Sequence, residues 1–402
     1  MGRAFMFGAG ASHSYTESPS GVRPPLSRDF FKTYNQLAIS EDRYVLVGSI
    51  VNYVLETRGV DPIAFQNWNE NVEDFLTEID DLVNTKKKAL SLPMEKLFLY
   101  PRAYDEMILL FTSVLNEIQN GPPCREYRKL VDKLTPGDVL LTFNWDTLID
   151  RALWESGIWA PEHGYGIEFK GLYEDGWKSV GGPSQTSYKL LKLHGSTNWL
   201  MPYLTLDFPS GERRFINRGV ADDDQPLFCF VRAEDTYKTY QDRTKTGYAP
   251  FSYYYYPPDL PLPPSPDPPG KTLRSTVLAF DLPEHGTTTA GGYPYSSMPL
   301  IVAPVRRKRY GICGGVLDEV CALAASEIVS CTELFIIGYS FPTTDVRAWQ
   351  LLAEAIRQRE AGCQVVIVNP HAEELANRLR GALSGCAVTP HATTFDQFVE
   401  AL

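Results

Sequence analysis

The strongest constraint in this 402-residue chain is a series of six short apolar runs, five of them followed directly by glycine, asparagine or histidine. They are Ala4–Phe7, Val139–Phe143, Leu190–Leu193, Leu300–Val302, Leu334–Ile337 and Val365–Val368. None alternates apolar with polar. A strand covered on one face alternates, whereas a strand of a parallel sheet covered by helices on both faces does not. Helical periodicity fills the intervals. Phe75, Leu76, Ile79, Leu82 and Val83 share one face, as do Met107, Ile108, Phe111, Val114, Leu115 and Ile118. Val346, Trp349, Leu351, Leu352 and Ile356 predict a further helix, with Thr344 as its expected N-cap. Strands alternating with helices predict an α/β fold, a Rossmann-like doubly wound parallel sheet.

The chain reads as one domain over 1–402 with two interruptions. Residues 30–135 are expected to form a mostly helical insertion. Residues 200–297 are expected to form an irregular one. Within the second, Pro250–Pro269 holds nine prolines and Tyr253–Tyr256 are consecutive. That proline density excludes a regular helix or a central strand, so the segment reads as a surface excursion. The net charge of −11 argues against a protein whose task is to coat nucleic acid. The Arg306–Arg309 run reads first as a solvated basic face, with a phosphate or nucleic-acid contact as the alternative. Seven cysteines without a C-x-x-C predict no zinc module, and their odd number predicts reduced thiols and a cytoplasmic location. No apolar stretch is long enough to span a bilayer, so no membrane association is expected.

Chemistry concentrates at the ends of the runs. Gly8, Ala9, Gly10 and Ser12 follow the first; glycines let backbone approach a phosphate, and the amides and hydroxyl can donate to it. Asn144 and Asp146 follow the second, in F-N-W-D. Asp146 also reads as the cap of the next helix. His194 follows the third, in L-H-G-S, where a histidine can act as a general base; Gly195 beside it permits close backbone approach. Gly338 and Ser340 follow the fifth and Asn369 the sixth, suited to phosphate or ribose hydroxyls. Each motif alone also reads as turn chemistry or core packing. Together they have one property in common: in a parallel sheet these ends share one edge, where ligands bind. No Walker A sequence, G-x-S-x-G elbow or H-E-x-x-H helix competes.

The ordered set G-A-G-A-S, F-N-W-D, L-H-G-S, G-Y-S and V-N-P resembles the sirtuin fold family. More narrowly it resembles the sirtuin-like NAD-hydrolysing proteins of bacterial antiphage defence, as do Asn71-Val-Glu-Asp74 and Ile337–Pro342. The likeness covers roughly residues 1–30, 136–200 and 298–400. It implies NAD as substrate; the cysteine and histidine spacing of the sequence itself predicts no metal. Gly8, Ala9, Gly10 and Ser12 would lie against the diphosphate, Gly338 and Ser340 against the phosphate–ribose region, and Asn369 against the adenosine ribose. Asn144 would lie near the nicotinamide ribose, Asp146 matches the family's cofactor-binding aspartate two residues on, and Asn144 and His194 would be catalytic. The implied activity is an NAD glycohydrolase releasing nicotinamide and ADP-ribose as an abortive-infection effector. The likeness also implies a homo-oligomer or a separate sensor such as a HerA-type ATPase or a short Argonaute. The four-cysteine module of sirtuin deacylases is absent from the sequence. Protein deacylation, ADP-ribosyl transfer and non-catalytic NAD or ADP-ribose sensing are the alternative functions.

Overall fold

The computed structural model describes residues 2–37, 48–60, 69–84, 96–119, 121–169, 171–173, 177–179, 187–207, 213–216, 228–230, 277–279, 296–308, 310 and 315–402. In chain order the strands are β1 Ala4–Phe7, β2 Val139–Thr142, β3 Gly171–Tyr173, β4 Trp177–Ser179, β5 Lys189–Lys192, β6 Gly195–Asp207, β7 Arg213–Ile216, β8 Phe228–Phe230, β9 Val277–Ala279, β10 Ser296–Ile301, β11 Glu333–Ile337, β12 Gln364–Val368 and β13 Ala387–His391. The helices are α1 Ala9–Ser12, α2 Phe30–Gln36, α3 Gly48–Arg58, α4 Val72–Asn84, α5 Lys96–Gln119, α6 Arg125–Val131, α7 Leu148–Ser156, α8 Pro161–Gly164, α9 Val316–Ser330, α10 Val346–Arg357, α11 Ala372–Leu379 and α12 Phe395–Ala401.

Six strands form one parallel sheet in the order β13-β12-β11-β1-β2-β5, flanked by helices. Counted along the chain, that is the 3-2-1-4-5-6 order of doubly wound dinucleotide-binding sheets. β1 lies at the centre and pairs with β2 on one side and β11 on the other. The reversal of strand order falls between β1 and β11, where chain leaving their carboxyl ends diverges to opposite halves of the sheet. Every residue of β1 and β2 is buried, as the non-alternating runs predict. Phe5 stacks on Phe335 of the neighbouring strand, and Phe7 meets Tyr127 of α6 and Phe395 of α12 edge-on.

Two strand assignments differ from the sequence reading. Leu300–Val302 does not join the parallel sheet. Its first two residues end β10, which pairs antiparallel with β6 in a second sheet, ordered β10-β6-β8-β9-β3-β4 with β7 also on β6. The sixth parallel strand is instead β13. It is an edge strand with alternating exposure, so its sequence lacks a solid apolar run. Strand segments also occur at 213–216, 228–230 and 277–279, inside the stretch expected to be irregular. Pro250–Pro269 lies outside the described residues. The described parts of 30–135 are helical apart from short connections. There the Glu106 carboxylate of α5 accepts from the Ser49 and Ile50 amides and the Ser49 hydroxyl, satisfying the first turn of α3.

At the amino edge of the sheet an ion pair joins β1 to β2. Asp138, fully buried just before β2, accepts from the Arg3 amide at 2.8 Å, the Arg3 guanidinium at 2.6 Å, and the Thr135 amide at 2.8 Å. Burial pushes the carboxyl up, but Arg3 and the Thr135 amide outweigh it and hold it below the usual aspartate range. A depressed folded value means that stabilisation is complete above the unfolded value of about 4 and is lost as pH falls through the folded one. Asp138→Ala is expected to cost about 2–3 kcal/mol at neutral pH, the half-exposed Arg3 moderating the loss. In urea titrations the gap from wild type should close on acidification.

Candidate functional site

The loops leaving β1 and β11 are packed directly on each other. The Gly8 amide donates to the Ile337 carbonyl at 3.0 Å, and the Gly10 amide donates to the Gly338 carbonyl at 2.9 Å. Gly338 has φ +62°, a left-handed conformation, and a Cβ there would collide with the Ala11 amide nitrogen. A Cβ on Gly8 would lie 2.5 Å from Tyr339 Cα, and one on Gly10 would lie 2.9 Å from the Gly338 carbonyl oxygen. The sequence reading assigned these glycines to a ligand; in the structure each is already required by the opposing loop. Ala9 is the exposed residue of the β1 loop.

Behind this contact lies a buried network built from residues that the sequence singles out. Asn144 donates through Nδ2 to the Gly8 carbonyl at 2.9 Å and to Ser12 Oγ at 2.8 Å. Ser12 is 2% exposed, lies 3.3 Å from the Tyr127 hydroxyl and bonds to the Asp146 carboxyl. The Ser12 hydroxyl therefore faces inward, not outward as a phosphate donor. Both Nδ2 protons of Asn144 are committed, so its side chain retains Oδ1 as an acceptor. The Tyr127 phenol also interacts with the Asn144 side chain. Burial raises the Asp146 carboxyl, opposed by the Lys192 ammonium. Asp146 is not the N-cap of α7; Thr147 is, although Asp146 Oδ1 accepts from the Leu148 amide at 3.1 Å. Below it, the fully buried Lys192 donates to the Asp146 carbonyl at 2.7 Å and to the Asp150 carboxylate at 2.9 Å.

His194 occupies the two-residue turn between β5 and β6, so it joins the two sheets. Its ring meets Phe143 edge-on at 4.9 Å, and Phe143 stacks on Tyr339 at 4.2 Å. Phe143 immediately precedes Asn144, which places the asparagine and the histidine at the same sheet edge, with no direct hydrogen bond between them. His194 Nε2 is 3.0 Å from the Tyr310 hydroxyl and 3.0 Å from Asp345 Oδ2. Asp345, 1% exposed, also accepts from the Tyr339 hydroxyl at 2.7 Å and the Tyr310 hydroxyl at 3.1 Å. Burial pushes the Asp345 carboxyl up, but the charge and hydrogen bond of His194, with Lys308 and Tyr339, hold it well below the aspartate range. Burial and the Asp345 charge push both phenols up, so they keep their protons. Among the described residues, His194 Nδ1 has no hydrogen-bond partner.

Gly195 has φ +76°, and a Cβ there would overlap the Leu300 carbonyl, so this glycine too is explained by strand packing. Ser340 is exposed, and its carbonyl accepts from Arg378. Asn369 sits at the same edge, next to the Val368 carbonyl that accepts from the Gly338 amide at 2.9 Å; its Oδ1 accepts from the His371 amide at 2.9 Å. Sequence reasoning missed Asp345, Tyr310 and Tyr127. It placed the α10 cap at Thr344, whereas Asp345 is the cap and accepts from the Ala348 amide. The Thr344 hydroxyl donates instead to Glu73, joining the N-V-E-D segment to the loop after β11. Arg306 pairs with Asp74 at 3.2 Å, and Lys308 lies 3.9 Å from Glu73, so this basic run is partly neutralised by α4.

The chain matches no protein-family model and no curated protein. Among the described residues, no group of three or more His, Cys, Asp or Glu could hold a metal ion. No described helix is long and apolar enough to cross a membrane.

The loop contact makes a direct prediction. Gly338→Ala adds both left-handed strain and a backbone collision. It is expected to destabilise the protein by about 3 kcal/mol, measured by chemical denaturation.

Proposed function

We propose that the chain is an NAD glycohydrolase, with Asn144 and His194 as its catalytic residues. The observation that supports this most is that both side chains are fixed by hydrogen bonds at the ligand-binding edge of a doubly wound sheet, while His194 Nδ1 has no hydrogen-bond partner among the described residues. Groups fixed in this way are preorganised rather than mobile.

The chemistry matches such a pair. The N-glycosidic bond of NAD joins a cationic nicotinamide to C1′ of a ribose. Heterolysis sends the bonding electrons to the ring nitrogen, and nicotinamide leaves neutral, so no acid is needed there. Positive charge develops on the ribose. Water adds to C1′ and loses a proton, giving ADP-ribose. Asn144 Oδ1 accepts a hydrogen bond from that water or from a ribose hydroxyl, and His194 Nδ1 takes a proton. The diphosphate lies over Ala9 and Gly10 and beside Gly338 and Ser340, and Asn369 and Asp146 serve the two ribose ends, Asp146 through Ser12 and Asn144. The motif resemblance supports a role for this activity in antiphage defence. There, uncontrolled NAD loss would be harmful, so we assign control to self-assembly or to a separate sensor protein in the cytoplasm.

The test is to incubate the purified protein with NAD, with and without candidate partners, and identify products by mass spectrometry. Nicotinamide and ADP-ribose are expected in equal amounts. His194→Ala and Asn144→Ala, verified as folded by circular dichroism, should each lose about 10²–10⁴-fold in rate. Wild-type cleavage by a folded His194→Ala protein would overturn the assignment. Nicotinamide release only with an acylated peptide or another acceptor would indicate transfer chemistry. Tight binding without turnover would indicate a sensor.

A further inference from the structure

We propose that Asp345 is a positioning residue for this site: its carboxylate holds the His194 imidazole with the proton on Nε2, which leaves Nδ1 as the proton-accepting atom. The proposal rests on His194 being the base in the reading above, but the proton arrangement follows from geometry alone.

Asp345 Oδ2 lies 3.0 Å from His194 Nε2, with the histidine 5% exposed and the aspartate 1% exposed. The other groups within hydrogen-bond distance of this carboxylate are donors. The Tyr339 hydroxyl donates to Oδ2, and the Tyr310 hydroxyl and the Ala348 amide donate to Oδ1. Lys308 adds a positive charge 4.0 Å from Oδ2. The carboxylate is therefore a pure acceptor. A deprotonated Nε2 would set its lone pair against an anion in a site closed to water, so Nε2 carries the proton. The Tyr310 hydroxyl is also 3.0 Å from Nε2. Its proton is committed to Asp345, so its lone pair accepts from Nε2 as well. In its neutral form, the form able to take a proton, the imidazole has one N–H, and the free lone pair is then on Nδ1. Turning the ring over would put a C–H group against the carboxylate and forfeit the Nε2 contact at 3.0 Å.

The capping contact of Asp345 with the Ala348 amide is 3.4 Å, the longest that it makes. Asparagine caps helices equally well, so Asp345→Asn keeps that role. It replaces one carboxylate oxygen with an NH₂ group, and a donor facing Nε2 reverses the preferred tautomer.

The test labels histidine with ¹⁵N and assigns the His194 signals, among six histidines, by comparison with His194→Gln. Wild-type His194 at neutral pH is expected to show the Nε2–H tautomer. Folded Asp345→Asn is expected to shift toward Nδ1–H and to lose about 10²–10³-fold in kcat for NAD with KM little changed. A wild-type Nδ1–H tautomer overturns the proposal without any variant. So does an Asp345→Asn protein with an unchanged tautomer, whatever its activity, because the residue would then act only structurally. If the tautomers behave as expected but His194→Ala still cleaves NAD, the glycohydrolase reading fails and the assignment of the proton does not.

Discussion

The central strand has no free edge and no free face, and the rest of the molecule is arranged around that fact. β1 pairs on both sides and is buried throughout, so the chain leaving it has one direction to go. The loop after β11 leaves the adjacent strand in the same direction. The two can coexist only if side chains are removed where they touch, and Gly8, Gly10 and Gly338 supply those gaps. The contact fixes the backbone to which Asn144 is bonded, and it sets Tyr339 against Phe143. From there the order passes to His194 and Asp345. Geometry at the candidate site is thus inherited from sheet packing, with little left to loop mobility.

The polar groups behind this contact form a second layer of constraint. Ser12, Asn144, Asp146 and Tyr127 occupy one another, and Lys192 supplies the charge beneath them. A buried ammonium is tolerated only where partners surround it. Here those partners belong to α7 and to the turn that begins it, which ties the position of that helix to the strand carrying Lys192.

Much of this was legible in the sequence, for reasons that can be given residue by residue. β1, β2, β5, β11 and β12 lie buried on both faces, and their solid apolar runs say so. β13 is half-exposed and contains Pro390, so it carries no such run. Leu300–Val302 looked like the others, because burial leaves the same composition in either kind of sheet; only pairing with β6 distinguishes it. The residues at the strand ends were visible as small polar exceptions. The role of the glycines was not, since a glycine demanded by another loop and one demanded by a ligand have the same letter. Asp345 was hidden for a related reason. It sits at a helix start, where aspartate is ordinary, and its partners Tyr310 and His194 are 35 and 151 positions away.

His194 lies on the two-residue turn that links β5 of the parallel sheet to β6 of the second sheet, and its carbonyl accepts from the Val302 amide just beyond β10. There is no slack on either side of it. The β6–β10 ribbon is accordingly a mechanical handle on the imidazole: a force that tilts the ribbon against the parallel sheet must rotate this histidine or break its bonds. Whatever grips that ribbon holds leverage over the ring.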